Sequence, residues 1–226
     1  MVGGLIVAAG KSERMGPGVD KAFLSLGARP LLAWSLQAFE KCPDIDKLVV
    51  VVRKERIESA LGLVRMFGLS KVAMVVTGGA TRQASVLRGL EALGDEALLV
   101  AVHDGCRPCV TPDLISRTVQ SARRCGSGVA AVKVVDTLKE VDHGTLVTRT
   151  VDRSKLWSVQ TPQTFYYKAL RQAYQSLHRR AMAAMTDEAS LIEQAGGAVN
   201  LVPSTWANLK ITVADDLAVA AAILKV

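Results

Sequence analysis

Three segments of this 226-residue chain gather residue types that bind anions. The first is Ala8-Ala9-Gly10-Lys11-Ser12-Glu13-Arg14-Met15-Gly16, with Lys21 a short step beyond it. Small residues let backbone N–H groups approach an anion, and Arg14 and Lys21 are placed to clamp it. The spacing is not that of the familiar phosphate loops. A Walker A loop needs G-x4-G-K-[ST], whereas five residues separate Gly4 from Gly10, and no G-x-G-x-x-G accompanies them. The second segment is Gly78-Gly79-Ala80-Thr81-Arg82-Gln83-Ala84-Ser85. Its glycines permit a turn against a flat ligand, and Ser85 falls in the first turn of the next helix, where a hydroxyl can meet a phosphate. The third, His103-Asp104-Gly105-Cys106-Arg107-Pro108, carries a carboxylate placed to approach a ribose or a Mg2+ shell. Any one of them alone also reads as a surface loop with solvated charges or a loop cap.

The elements around these segments bring them to one edge. Apolar runs at 5–8, 48–52, 72–76, 98–102 and 129–135, the last interrupted only by Lys133, read as strands buried on both faces. Amphipathic stretches at 31–41, 55–66, 81–93 and 112–124 read as the helices between them, with Thr111 as N-cap and Pro112 at the first helical position. That alternation predicts a parallel sheet with helices on both faces. Right-handed crossovers put every strand's carboxyl end along the edge where open α/β sheets bind ligands. After Val135 the rhythm breaks, and 137–141 with 146–151 read as a hairpin turned at His143-Gly144. A lone hairpin is marginal in water, so it calls for something to pack against, such as a second subunit. Helices are expected again at 166–184 and 186–194, a strand near 199–202, and a last helix from Asp215.

Composition narrows the class. Apolar residues make up 50% and charged residues 22%, which excludes a disordered chain. The length suits one domain, 1–226, with residues 137–157 as a projecting arm, and leaves no room for a second fused enzyme. Lys and Arg number 28 against 21 Asp and Glu, a net charge of +7 that calls for an anionic partner. Nucleic acid is a poor fit, because aromatics are only 4% and no basic run exceeds Arg123-Arg124 or Arg179-Arg180. No apolar run approaches the roughly 20 residues of a membrane span, and no basic n-region precedes the apolar start, so a cytoplasmic protein is expected. The C-x-x-C at Cys106 and Cys109 lacks a second ligand pair, so two small residues in a buried turn is the plainer reading, with no metal site expected. Of the three histidines, His103 is expected at the site edge.

The same segments, taken with Asp136-Thr137-Leu138-Lys139, Val151-Asp152-Arg153, 160–165 (QTPQTF), Thr186-Asp187-Glu188-Ala189-Ser190 and Asn208-Leu209-Lys210-Ile211-Thr212, form an ordered series over essentially the whole chain. That series resembles the signature of the 2-C-methyl-D-erythritol 4-phosphate cytidylyltransferase family. The opening loop occurs across sugar nucleotidyltransferases, and the arm and tail segments are the specific part. The resemblance implies a nucleotidyltransferase fold, a Rossmann-like, mostly parallel sheet flanked by helices with a projecting β-arm. It implies transfer of a cytidylyl group from CTP to the polyol phosphate with release of pyrophosphate, in isoprenoid biosynthesis.

By the same resemblance, Arg14 and Lys21 stabilise charge on the α-phosphate. Ala8, Ala9, Gly10, Gly79, Ser85 and Asp104 bind the nucleotide, and Arg107, Thr137, Thr161 and Thr186 bind the acceptor. Arg153 and Lys210 position the acceptor's phosphate, with the arm reaching into a partner's site, so that a homodimer with composite active sites is implied. Mg2+ is expected to arrive mainly on the CTP phosphates. Ala80, Gly105-Cys106 and Val213-Ala214 depart from the family pattern, the last replacing an Arg/Pro stretch, without removing a charged group that the mechanism requires, and bear on acceptor preference. The rival acceptor is ribitol 5-phosphate; a basic nucleic-acid-binding domain is the rival from another class.

Overall fold

The computed structural model describes residues 1–10, 15, 20–176 and 185–226. The chain opens with β1 (Val2–Ala8), then one turn of 3-10 helix at Lys21–Phe23 and a short ladder of β2 (Ser25–Leu26) with β3 (Arg29–Pro30). Strand and helix then alternate: α1 (Leu31–Lys41), β4 (Lys47–Val52), α2 (Ile57–Met66), β5 (Val72–Thr77), α3 (Arg82–Leu93), β6 (Leu99–Asp104), α4 (Pro112–Cys125) and β7 (Ser127–Lys133). The cap of α4 is the expected one, since Thr111 Oγ1 accepts from Leu114 N at 3.2 Å and Pro112 stands in the first turn. Gly126, at φ 87°, ends that helix in the left-handed conformation that a Cβ disfavours.

β7, β6, β1, β4 and β5 run parallel in a seven-stranded sheet that also holds β10 (Trp157–Tyr166) and β11 (Leu201–Pro203), in the order β11-β7-β10-β6-β1-β4-β5. Strand periodicity splits the core in two. Ile6, Leu48, Val50, Leu99 and Ala101 face one way against Leu36 and Phe39 of α1, Ala60 of α2 and Ile115 of α4. Leu5, Val49, Val51, Val100 and Val102 face the other way against Val86 and Leu90 of α3. Both faces are therefore dry, which is why these strands read as continuous apolar runs.

Three features differ from the sequence expectation. β10 (Trp157–Tyr166) inserts antiparallel between β6 and β7, where the residue pattern predicts no strand. Its Gln160, Thr161, Gln163 and Thr164 are buried polar residues held by hydrogen bonds, so no apolar run announces it. Trp157 consequently belongs to the central sheet, and the projecting piece is the ladder of β8 (Leu138–Val141) with β9 (Val147–Val151). Helix α5 is described over Tyr167–Ser176, the rest of the expected helix lying outside the described residues, and α6 (Glu188–Gln194) begins after Asp187 rather than at Thr186. β11 (Leu201–Pro203) and α7 (Asp215–Leu224) complete the chain, α7 packing Ala220 onto Leu26 and Ile211. Among the described residues no helix is long and apolar enough to cross a membrane.

Candidate active site

The carboxyl ends of β1, β4, β5 and β6 open onto a cavity of about 750 Å³. Ala8, Ala9 and Gly10 form its β1 wall, Gly78 and Gly79 face them from β5, and Asp104 and Cys106 come from β6. Lys21, Arg53, Lys54, Arg82 and Lys210 bring five cationic side chains to its lining. The glycine wall has a steric cause: a Cβ on Gly78 would stand 2.3 Å from Ala9 Cβ and 2.8 Å from Ser85 Oγ. Ser85 is buried, and its hydroxyl works within the loop. It accepts from Gly79 N at 3.0 Å and donates to Thr81 O at 2.9 Å, while Thr81 Oγ1 caps α3 by accepting from Ala84 N. The serine thus shapes the turn and presents the amino end of α3 to the cavity.

Charge is organised around Asp104. Its Oδ2 lies 2.7 Å from Lys210 Nζ, and its Oδ1 accepts from Arg82 Nε at 3.3 Å and Nη2 at 3.2 Å. Burial alone pushes this carboxyl up, but Arg82 and Lys210 outweigh it and hold the group well below the carboxylate range. Arg82 also donates to both oxygens of Glu188, at 2.6 and 2.9 Å. Burial weakens its charge, yet the two carboxylates, Glu188 first, keep the guanidinium firmly protonated. Lys21 Nζ donates to Ile211 O at 3.0 Å, which brings the first loop against the Lys210 segment. Asp20, buried beside it, accepts from Arg53 at 2.9 Å and Arg56 at 3.0 Å, tying the end of that loop to the turn after β4.

Several expected site residues lie elsewhere. Arg14 falls outside the described residues. Arg107 is buried beneath the cavity and does not line it; its Nη1 donates to Asn208 O at 2.8 Å, and its carbonyl accepts from Ser35 at 3.2 Å. Thr161 is buried too, accepting from Asp104 N at 3.1 Å and bonding His103 Nδ1 at 3.0 Å. His103 stands under the floor rather than at the edge: it is 0% exposed, and burial drives its pKa down to about 3. Because the Arg107 carbonyl can only accept, His103 Nε2 carries the proton of their 3.3 Å bond, and Nδ1 receives the Thr161 hydroxyl. Thr137, Arg153 and Thr186 are exposed, and Arg153 donates to Val135 O at the base of the hairpin. None of the three lines the cavity of this chain.

Residues that the sequence reading left out of the site are Arg82, Glu188, Asp20 and Arg53. Arg82 had a usable signal, since the first residue after an N-cap Thr at a sheet's carboxyl edge faces the ligand side. Glu188 had none, because its partner is far away in sequence. The C-x-x-C is a pair of free buried thiols, and burial pushes both up to about 11. Among the described residues no group of three or more His, Cys, Asp or Glu is placed to hold a metal ion.

A mostly parallel sheet whose carboxyl edge carries a glycine-walled, cation-lined cleft defines an enzyme that handles a phosphorylated nucleotide. More narrowly, the chain belongs to the IspD family, 2-C-methyl-D-erythritol 4-phosphate cytidylyltransferase, whose sequence profile matches residues 2–226. It is 43% identical over 224 residues to a protein of that name from Dehalococcoides mccartyi strain 195, covering 99% of this chain and 96% of that one. A relative of the same name from Alkaliphilus oremlandii is 38% identical, with 98% and 94% covered. The crystal structure of 2-C-methyl-D-erythritol 4-phosphate cytidylyltransferase from Thermus thermophilus superposes with a TM-score of 0.78 at 36% identity, covering 98% of both chains. The 4-diphosphocytidyl-2C-methyl-D-erythritol synthase of Anaerococcus prevotii superposes with a TM-score of 0.85 at 28% identity, over 100% of this chain and 96% of that one.

Proposed function

We propose that this cleft transfers the cytidylyl group of CTP to 2-C-methyl-D-erythritol 4-phosphate, giving 4-diphosphocytidyl-2-C-methylerythritol and pyrophosphate. The observation that carries the reading is the glycine-walled, cation-lined cavity in a chain that this family matches from residue 2 to 226. An oxygen of the acceptor's phosphate attacks the α-phosphorus, a new P–O bond forms, and the bond to the β-phosphate oxygen breaks. A phosphate monoester with a second pKa of about 6 is largely dianionic at neutral pH, so the nucleophile needs no general base. This agrees with the burial of His103, whose ring does not line the cavity. What the reaction needs is fixed positive charge where the equatorial oxygens gain negative charge.

Lys21 and Arg14 are assigned that role, Lys21 from a cavity-lining position. Ala8, Ala9, Gly10 and Gly79 cradle the nucleotide with backbone groups, and Ser85 and Thr161 hold the loops that do so. Lys210, anchored by Asp104, faces the acceptor's phosphate. Arg107 acts from below by fixing the Asn208 carbonyl next to the Lys210 segment. Mg2+ fits a site of this kind, since three carboxylates, Asp20, Glu55 and Asp104, line the cavity, and an ion held mainly by substrate phosphates needs only one or two of them. When bound, the ion would neutralise charge on the triphosphate.

We read the protein as a cytoplasmic homodimer. The hairpin of β8 and β9 exposes Leu138, Val141, Leu146 and Val147, an apolar set that a partner subunit would cover. Thr137 and Arg153 lie in or beside that hairpin and so would reach the partner's cleft. Pyrophosphate release, measured with CTP, UTP and ATP against a panel of polyol phosphates, tests the reading. Preference for UTP or ATP would overturn the nucleotide assignment.

A further inference from the structure

Glu188 is 0% exposed at the first position of α6, and it does not line the cavity. Its carboxylate accepts two hydrogen bonds from Arg82 and one from the Tyr174 hydroxyl at 3.1 Å. Arg82 in turn holds Oδ1 of Asp104, and Asp104 holds Lys210 through Oδ2. Four charges of alternating sign therefore run from a closed interior to the cavity wall: Glu188, Arg82, Asp104, Lys210. The inner end is rigidly built. Asp187 caps α6 by accepting from Ser190 N at 2.9 Å, and Gln163 of β10 bonds both Asp187 and Ala189 N.

We infer that Glu188 is a positioning residue for the acceptor half of the cleft, acting through Arg82 and Asp104 on Lys210. The inference rests on the assignment of Lys210 to the acceptor's phosphate made above. Arg82 stands between two carboxylates and divides its N–H groups between them. With the Glu188 charge removed, both branches of the guanidinium turn to Asp104, the only carboxylate left to it in this network. Asp104 is then neutralised by Arg82 and loosens its grip on Lys210. The Lys210 side chain is 37% exposed, and among the described residues Asp104 is the carboxylate that anchors its Nζ. A buried ion pair is not in itself a reliable source of stability relative to apolar packing. Its consequence here is directional, because it decides which cation Asp104 keeps.

The test is Glu188→Gln, which preserves size and removes the charge. It is measured alone and in a Lys210→Ala background, with the full-length enzyme, CTP and the methylerythritol phosphate acceptor. Coupled neighbours give non-additive effects, and separate sites give additive ones. Glu188→Gln is expected to lower kcat/KM for the acceptor about tenfold while the KM for CTP moves less than about twofold, and to have almost no further effect once Lys210 is Ala. Tyr174→Phe, which removes one hydrogen bond and leaves every charge, serves if Glu188→Gln does not fold. It is expected to show a smaller loss with the same dependence on Lys210. Equal losses in both backgrounds overturn the inference while leaving the proposed reaction standing. A crystal structure of whichever variant folds gives a readout that needs no activity. Lys210 Nζ is expected beyond hydrogen-bond reach of Asp104 in Glu188→Gln and displaced in Tyr174→Phe. An unmoved Lys210 overturns the inference even if the wild type transfers no cytidylyl group.

Discussion

Replacing His103 with Gln will flatten the protein's loss of stability between pH 7 and pH 4.5. The folded-state pKa of His103 is about 3 against an ordinary 6.5, because burial opposes the charged ring. A folded value below the unfolded one means the unfolded chain takes the proton first. The stabilisation is therefore complete above pH 6.5 and is lost as pH falls towards 3. At pH 4.5, two units below the unfolded value, the wild type has lost about 3 kcal/mol through this one residue. Asp104, held low by Arg82 and Lys210 against its own burial, contributes its loss only as pH falls through 3.8 and below, outside this window. At pH 7 the Gln variant still offers a donor to the Arg107 carbonyl. It leaves the Thr161 hydroxyl without its acceptor and gives up the ring contact with Phe39 at 5.2 Å. That costs about 1–3 kcal/mol. Urea unfolding at a series of pH values, followed by tryptophan fluorescence, should show the variant starting lower and the two curves converging near pH 4.5. Parallel curves would refute the reasoning, as would an NMR titration in which the His103 ring protonates near pH 6.

Other outcomes follow from the same geometry. Lys21→Ala should lower kcat by about 100- to 1,000-fold with a smaller rise in KM, by steady-state kinetics; the reverse pattern would mean that Lys21 contributes ground-state binding only. Gly78→Ala should raise the Kd for CTP at least about tenfold by calorimetry, because its methyl group would stand 2.3 Å from Ala9 Cβ; unchanged affinity would remove the glycine wall from the nucleotide site. Co-expressing Arg153→Ala with Lys210→Ala should restore about a quarter of wild-type activity through mixed dimers, whereas no recovery would contradict composite sites. At pH 7.5 iodoacetamide should label the exposed Cys125 and spare Cys106 and Cys109, whose thiols burial holds near 11; mass spectrometry of the peptides reports it.

The parallel strands were legible because both sheet faces are covered, so β1, β4 and β6 have no polar face to interrupt the run. β10 was not legible. It carries Pro162 and four buried polar side chains whose partners lie on other elements, and a polar strand inside a sheet looks like a loop until those partners are known. The loops of the site were readable from their types: glycines opposite alanines, and a lysine just past them. What their side chains do was less so. Ser85 shapes its own turn, Arg107 and His103 lie under the floor, and Arg82 takes Glu188 from a distant helix. Sequence reports the chemistry a segment carries; a pairing between distant segments exists only once the chain has folded.

The central claim is the acceptor and the nucleotide together. The enzyme supplied with CTP and an equimolar mixture of 2-C-methyl-D-erythritol 4-phosphate and ribitol 5-phosphate, with products identified by mass spectrometry, tests it most directly. Cytidine diphospho-methylerythritol is expected to form in large excess, with one pyrophosphate released per product. Cytidine diphospho-ribitol as the main product, or no transfer to either acceptor, would contradict it.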